Sequence, residues 1–320
     1  MAIIGAGMAG LSCARTLRQA GFYVEVFERD RIIGGRMATT RIGMLSFDHG
    51  AQYVTGRSSR FNAYVQELVA GGYLTQWTAL TNVEATQITE ANGWYVGTPG
   101  MSAIVRPLAE SVCIQTGRNV HTIRREPRGW YVWFDDESAA GPFQGVVVAV
   151  PAQEARLLVG RIGNLADQIS RARMMPCWSM MVRLDERKLP EQDVYSDMSE
   201  VIRWVSRNSS KPGRQVRGET LVVHASPTWS RLAEDAEPEA VAEELWGEVC
   251  HTLNLPPVRP SMLSAHLWRY GLVDATLGES YLFSHEHKVG VAGDWCRGRL
   301  AEHAFESGQG LGRAMADALV

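Results

Sequence analysis

The sequence predicts an α/β fold, a parallel-sheet domain with a mixed α+β domain inserted into it. Three observations predict it. The chain opens on an apolar strand, a glycine-rich turn, a helix and a second strand that ends in an acidic residue. Residues 145–151 carry a continuous valine run closed by Pro151, the mark of a parallel strand buried on both faces. From about Ala152 to Met262 helices and strands mix without glycine-rich punctuation, and Val289-Gly290-Val291-Ala292 then returns the chain to the first domain. The expected boundaries are 1–55, 100–151 and 263–320 for the first domain, and 56–99 and 152–262 for the inserted one.

The opening residues justify the first domain. Ala2-Ile3-Ile4 is short and wholly apolar, so it is expected as a buried strand, and residues 11–20 place Leu11, Ala14 and Leu17 on one helical face. Gly5-Ala6-Gly7-Met8-Ala9-Gly10 joins them. Gly5 permits the tight turn, Gly7 lets backbone approach a pyrophosphate, and Gly10 lets helix and strand pack closely. The helix N-terminus then faces the phosphates with its N–H groups and positive dipole end. Glu28 closes the strand Tyr23-Val24-Glu25-Val26-Phe27, where a carboxylate accepts both ribose hydroxyls of an adenosine without a 2′-phosphate. Each part is required by one mechanism, so together they predict a dinucleotide-binding Rossmann-like domain.

Further along, residues 60–70 form an amphipathic helix, and Ser102 is placed to cap a helix over 103–112. Residues 119–123, 129–134 and 145–151 read as successive strands separated by charged turns. A helix is expected from about Ala304, after Gly293-Asp294. The chain has 320 residues, 45% hydrophobic and 21% charged, the composition of an ordinary globular protein. A net charge of −3 offers no electrostatic case for nucleic acid or an anionic membrane. Neither a signal peptide nor a membrane-length apolar run is seen, and five scattered cysteines suit reduced thiols, so a cytoplasmic protein is expected. His285-Glu286-His287 reads as a solvated turn, and no metal site is expected.

Four segments occur in the order a flavoprotein needs: the first glycine turn, Gly34-Gly35-Arg36-Met37, Gly50-Ala51-Gln52-Tyr53 and Gly293-Asp294-Trp295-Cys296. With Pro99-Gly100-Met101-Ser102 they resemble the flavin amine-oxidase superfamily. Arg207-Asn208 with Lys211-Pro212, His224-Ala225 with Trp229-Ser230-Arg231, and Trp268 with Tyr270 resemble its renalase-like members over nearly the whole chain. The resemblance implies a Rossmann-like FAD-binding domain with an inserted mixed α+β substrate domain, of the amine-oxidase and p-hydroxybenzoate-hydroxylase type. It implies non-covalent FAD held by Gly5, Gly7, Ala9 and Gly10 at the pyrophosphate, Glu28 at the adenosine ribose and Arg36 near the phosphates, with Arg29, Gly35 and Met37 also among the cofactor-binding residues. Gly50, Ala51, Gln52 and Tyr53 would lie along the isoalloxazine, Val120 would offer backbone groups to the adenine, and Gly293 and Asp294 would approach the ribityl or pyrophosphate oxygens. A helix starting near Ser307-Gly308 would aim its N-terminus at the flavin C2 carbonyl, where negative charge develops on reduction.

The activity implied is oxidation of 2- or 6-dihydroNAD(P), with hydride passing to flavin N5 and then dioxygen reoxidising the flavin to give NAD(P)+ and hydrogen peroxide. The cofactor carries that chemistry and no side chain is assigned to it. The dihydropyridine nitrogen lone pair drives the hydride out, so no strong base is required. None of the three lysines, Lys188, Lys211 and Lys288, matches the lysine that many amine oxidases place near N5. Cys296 reads as a small buried thiol. Arg207, Asn208, His224, Trp268 and Tyr270 are the expected substrate residues, with aromatic rings walling a flat pyridine and Asn208 or His224 bonding its carboxamide. Three alternatives stand beside this reading: an amine oxidase, a hydrocarbon desaturase of the same fold, and an FAD-binding module without turnover. The dihydro isomer, the NAD or NADP form and the oligomeric state stay open.

Overall fold

The structure, a computed structural model, describes residues 1–81, 93–214 and 217–319. It divides into two compact units, one of Met1–Arg36, Val105–Met174 and Val273–Val320, the other of Met37–Ile104 and Met175–Leu272. These divisions differ from the expected boundaries. Residues 37–55 belong to the second unit because the hairpin Thr40–Ile42 and Leu45–Phe47 buries Phe47 against Met181 and Val222. Residues 152–174 belong to the first, whose strands carry the helices Ala152–Leu158 and Leu165–Ile169.

In the first unit six strands run in the order Leu282–Ser284, Val289–Val291, Val146–Val148, Ala2–Ile4, Glu25–Glu28 and Cys113–Thr116. All neighbours are parallel except the outermost pair, Leu282–Ser284 with Val289–Val291. The central strands are wholly buried, which explains their unbroken apolar runs. Val120–Glu126, Gly129–Phe134 and Ala139–Phe143 form a separate antiparallel sheet of this unit.

The helices Met8–Gln19 and Ala301–Leu319 pack against each other at glycines. A Cβ at Gly308 would lie 2.0 Å from the Ala9 carbonyl oxygen, and one at Gly312 would lie 3.1 Å from that of Cys13. The final helix therefore begins at Ala301, ahead of the expected start, and Ser307 and Gly308 lie inside it as packing residues. The expected helix over 103–112 is also corrected. Met101–Val105 is a 3-10 turn, followed by the short helix Arg106–Ala109, whose Pro107 suits a first turn. Ser102 does not cap a helix; its N–H donates to Thr39 Oγ1 at 3.2 Å.

The second unit is built on a five-stranded sheet, with Ile202–Arg207, Glu219–Ala225 and Arg173–Leu184 as successive central strands paired antiparallel. Its pleat separates two sets of side chains. Trp178, Met180, Val182, Val205, Leu221 and Val223 face a core shared with Val241, Leu245 and Val249 of the helix Pro238–Thr252. The alternate positions pair on the opposite face: Ser179 and Trp204 flank His224, and Met181 and Ser206 flank Val222. That opposite face carries the polar side chains considered next.

Candidate active site

In the first unit the glycine turn is built as its residue types require. Gly5 has φ +99° and its Cβ would lie 2.6 Å from the Ala149 carbonyl oxygen. A Cβ at Gly10 would lie 2.0 Å from the Gly5 carbonyl oxygen, so helix and turn meet only because no side chain intervenes. Gly7 differs: a methyl group there would meet no protein atom within 4 Å. The helix that follows has neither a side-chain cap nor an acidic residue in its first turn. Open N–H donors, an open approach at Gly7 and the positive helix end form an anion cradle.

Glu28 lies beside it, with Oε2 accepting from Ala6 N at 2.7 Å and Oε1 from Asp30 N at 3.0 Å. Each oxygen keeps a further acceptor site, as ribose hydroxyls require. Burial pushes this carboxyl up, against the backbone donors of Asp30 and Ala6. The Gly34-Gly35 segment returns to the same turn: Gly34 N donates to Ala6 O at 2.9 Å, and a Cβ at Gly35, where φ is +53°, would lie 3.5 Å from Gly7 Cα. Two motifs distant in sequence thus share one edge.

Other expected cofactor residues have different partners. Arg36 makes a two-pronged pair with Asp294 at 2.6 and 2.8 Å, so these two charges first answer each other. Arg29 pairs at the surface with Glu154 at 2.6 Å. Ser307 Oγ accepts from Gly293 N at 3.0 Å, which ties the final helix to the Gly293-Asp294 segment from its interior. Val120 starts a strand of the antiparallel sheet. Cys296 is buried, and burial pushes its thiol up to about 12.

In the second unit the expected residues Gly50, Ala51, Gln52 and Tyr53 follow Asp48 and His49 in one turn. Asp48 is fully buried and faces Arg214 Nη2 at 2.6 Å and Lys211 Nζ at 3.4 Å. Burial pushes its carboxyl up, but the Lys211 and Arg214 charges outweigh that and hold it below the usual range. The same two effects act on Lys211, whose ammonium burial lowers to about 8 against the pull of Asp48. Gln52 is a hub: its amide nitrogen donates to Asp48 O and Gly50 O, while Oε1 accepts from Ser206 Oγ at 2.7 Å and Lys211 Nζ at 3.0 Å.

His224 Nε2 donates to His49 O at 3.2 Å, and Trp268 Nε1 donates to that oxygen at 2.9 Å. The Trp268 ring stacks on the His49 imidazole, with centroids 4.9 Å apart. Burial lowers both imidazoles to about 4, so His49 and His224 are neutral at pH 7. On this face the buried Ser179 Oγ and Trp204 Nε1, both flanking His224, have no partner among the described residues, and neither has Arg214 Nε. Buried polar atoms of native proteins are nearly all partnered, and such exceptions suit a polar ligand.

Arg207 and Asn208 already have protein partners within the second unit. Arg207 is buried between Glu219 and Asp193, at 2.6 Å from each, and Asn208 bonds the backbone at Asp48 and Ser46. Tyr270 lies on the same strand as Trp268, two residues on. Asp48, Lys211 and Arg214 are not among the expected site residues, although Lys211-Pro212 belongs to a segment with the family resemblance. Apart from that their signal is a Lys-Pro-Gly-Arg turn and an Asp-His pair beside apolar strands, and such charges ordinarily mark solvent.

A family model described as flavin containing amine oxidoreductase matches residues 71–310, and one described as NAD(P)-binding Rossmann-like domain matches residues 3–68. The chain belongs to the flavin containing amine oxidoreductase family. FAD is accordingly its cofactor, and the uncapped helix, the open Gly7 and the acceptor sites of Glu28 fit that dinucleotide. Among solved structures of similar fold is a putative protoporphyrinogen oxidase from Exiguobacterium sp. 255-15, with TM-score 0.79 and 11% identity over 98% of each chain. Another is cyclohexylamine oxidase from Brevibacterium oxydans IH-35A, with TM-score 0.76 and 14% identity, covering 99% of this chain and 98% of that one.

Curated sequences match this chain over a shorter stretch. The 15-cis-phytoene desaturase of Synechococcus elongatus is 42% identical over 64 residues, which is 20% of this chain and 12% of that protein. Protoporphyrinogen oxidase 2 of Arabidopsis thaliana is 32% identical over 68 residues, 21% of this chain and 13% of its own length. The match thus spans about an eighth of these relatives. No helix among the described residues of this family member is long and apolar enough to cross a membrane.

Proposed function

We propose that this flavoenzyme oxidises isomeric dihydronicotinamide dinucleotides, 2- or 6-dihydroNAD(P), to NAD(P)+ with hydrogen peroxide as the second product. The observation that carries this reading is a local cluster of buried charge beside the Gln52 turn, where one carboxylate, Asp48, faces two cations, Lys211 and Arg214. A surplus of buried positive charge disfavours an ammonium substrate and suits a dinucleotide, which brings its own phosphates. Bound FAD supplies the hydride acceptor that dioxygen restores. The protein's part is to hold and desolvate the donor.

Neutral imidazoles suit that part. His224 offers hydrogen bonding without acting as a base, and Trp268 offers a flat aromatic face for a pyridine ring. Tyr53 and Trp94 are stacked on each other at 4.3 Å, an arrangement that does not leave two facing walls for an amine. The free cysteines, Cys13, Cys113, Cys177, Cys250 and Cys296, fit a cytoplasmic setting for the same reaction.

Anaerobic stopped-flow mixing of the FAD-loaded protein with each dihydro isomer, ordinary NADH, cyclohexylamine and putrescine tests the proposal. Rapid bleaching of the flavin absorbance by a 2- or 6-dihydro isomer, at least a hundredfold faster than by NADH or amines, is the expected result. Bleaching by an amine, or by none of the donors, rejects it.

A further inference from the structure

Lys211 is among the largest fully buried side chains, and besides its charge it contributes hydrogen bonds to one turn of the second unit. Its ammonium reaches both ends of one turn, Asp48 Oδ2 at 3.4 Å and Gln52 Oε1 at 3.0 Å. Ammonium only donates, so it requires the oxygen of the Gln52 amide on its side. The amide nitrogen must then point the other way, where it meets two acceptor-only groups, the carbonyls of Asp48 and Gly50. Lys211 and the two carbonyls thus set the amide's orientation, and Ser206 Oγ, which can donate, is compatible with it at 2.7 Å.

Within the stapled turn lies His49, whose backbone carbonyl accepts from His224 Nε2 at 3.2 Å and Trp268 Nε1 at 2.9 Å. A carbonyl cannot donate, so His224 must carry its proton on Nε2. Gln52 Nε2, 3.4 Å from that nitrogen, has both its protons committed to carbonyls and offers none in competition. Neutral His224 therefore holds its lone pair on Nδ1. The two residues bonded to His49 come from different strands, Glu219–Ala225 and Met262–Ala275, and the single oxygen sets the placement of both.

We infer that Lys211 is a positioning residue: by stapling Asp48 to Gln52 it holds the His49 carbonyl in place, and so fixes the tautomer of His224 and the orientation of Trp268. That these two side chains face the substrate rests on the dihydronicotinamide reading, but the staple itself does not.

The test uses the FAD-loaded protein with 15N-histidine and 15N-tryptophan labels, His224 being assigned from His224→Asn and Trp268 from Trp268→Phe. Long-range 1H–15N correlation at pH 7 is expected to show His224 protonated on Nε2, with a slowly exchanging Trp268 indole proton. In Lys211→Met the His224 signals should move to a mixture of tautomers, and the Trp268 indole proton should exchange at least tenfold faster. Lys211→Arg, which keeps a donor, should restore both. Gln52→Met should reproduce the Lys211→Met spectra and replaces that variant if it does not fold. A His224 protonated on Nδ1 in the unaltered protein, or variant spectra identical to it, overturns the inference. A tautomer change in a protein that no dihydronicotinamide reduces upholds the staple and rejects only the substrate.

Discussion

Lys211 and Asp48 share one buried environment, and the free energy of that arrangement depends on pH. Burial brings the folded-state ammonium to about 8, while in an unfolded chain a lysine titrates near ~10.4. Below pH 8 both states carry the proton and the full cost of burying it is present. Between about 8 and ~10.4 the unfolded chain binds more protons than the folded one, so this group raises stability as pH rises. Asp48, Arg214 and His224 face the same ammonium and are present in both unaltered protein and Lys211→Met. Urea unfolding of the two proteins from pH 7 to 10 should thus show the difference shifting in favour of the unaltered protein above pH 8. A constant difference would mean that Lys211 keeps an ordinary pKa.

At the scale of elements, two glycines that look alike in sequence have opposite duties. Gly308 lies inside the helix Ala301–Leu319, and its Cβ would stand 2.0 Å from the Ala9 carbonyl oxygen, a backbone atom that cannot yield cheaply. Gly308→Ala should cost about 1–3 kcal/mol of stability through overpacking, read as a lower urea midpoint. Gly7 has open space where its Cβ would be. Gly7→Ala should leave the unfolding midpoint of the FAD-free protein almost unchanged and weaken FAD binding at least tenfold by fluorescence titration, because the methyl group occupies the approach to the helix N–H groups. Equal effects of the two substitutions would remove the distinction between a packing glycine and a phosphate glycine.

For the whole molecule, FAD binding is linked to folding, since the unfolded chain has neither the cradle at Gly7 nor the placed Glu28 carboxylate. Free FAD at a hundred times its Kd should add about 2.7 kcal/mol, seen as a higher Tm than that of the stripped protein. Riboflavin, without pyrophosphate and adenosine, should give little of that increase; an equal increase would place the binding energy outside the dinucleotide cradle. The cradle was legible in the sequence because every part of it is local. Gly5, Gly7 and Gly10 act within one turn, and Glu28 sits at the end of the next strand. The Lys211 staple was not legible, because Lys211 and Asp48 are distant in sequence and each alone reads as a solvated charge. His224 shows the same limit: Leu221, Val222 and Val223 are all buried, so hydrophobicity does not tell which face of the strand looks toward the core. Arg207 and Asn208 sat in a matched segment and Ser307 and Gly308 at an expected helix start, and the sequence did not show that Arg207, Asn208 and Ser307 have hydrogen-bond partners or that Gly308 packs against Ala9. By itself the sequence determined the dinucleotide cradle and the class of cofactor, since backbone conformation and short-range periodicity carry them. Only the tertiary structure decided which charges are buried together and which ring nitrogen bears a proton, because those depend on partners that chain folding alone brings within hydrogen-bonding distance.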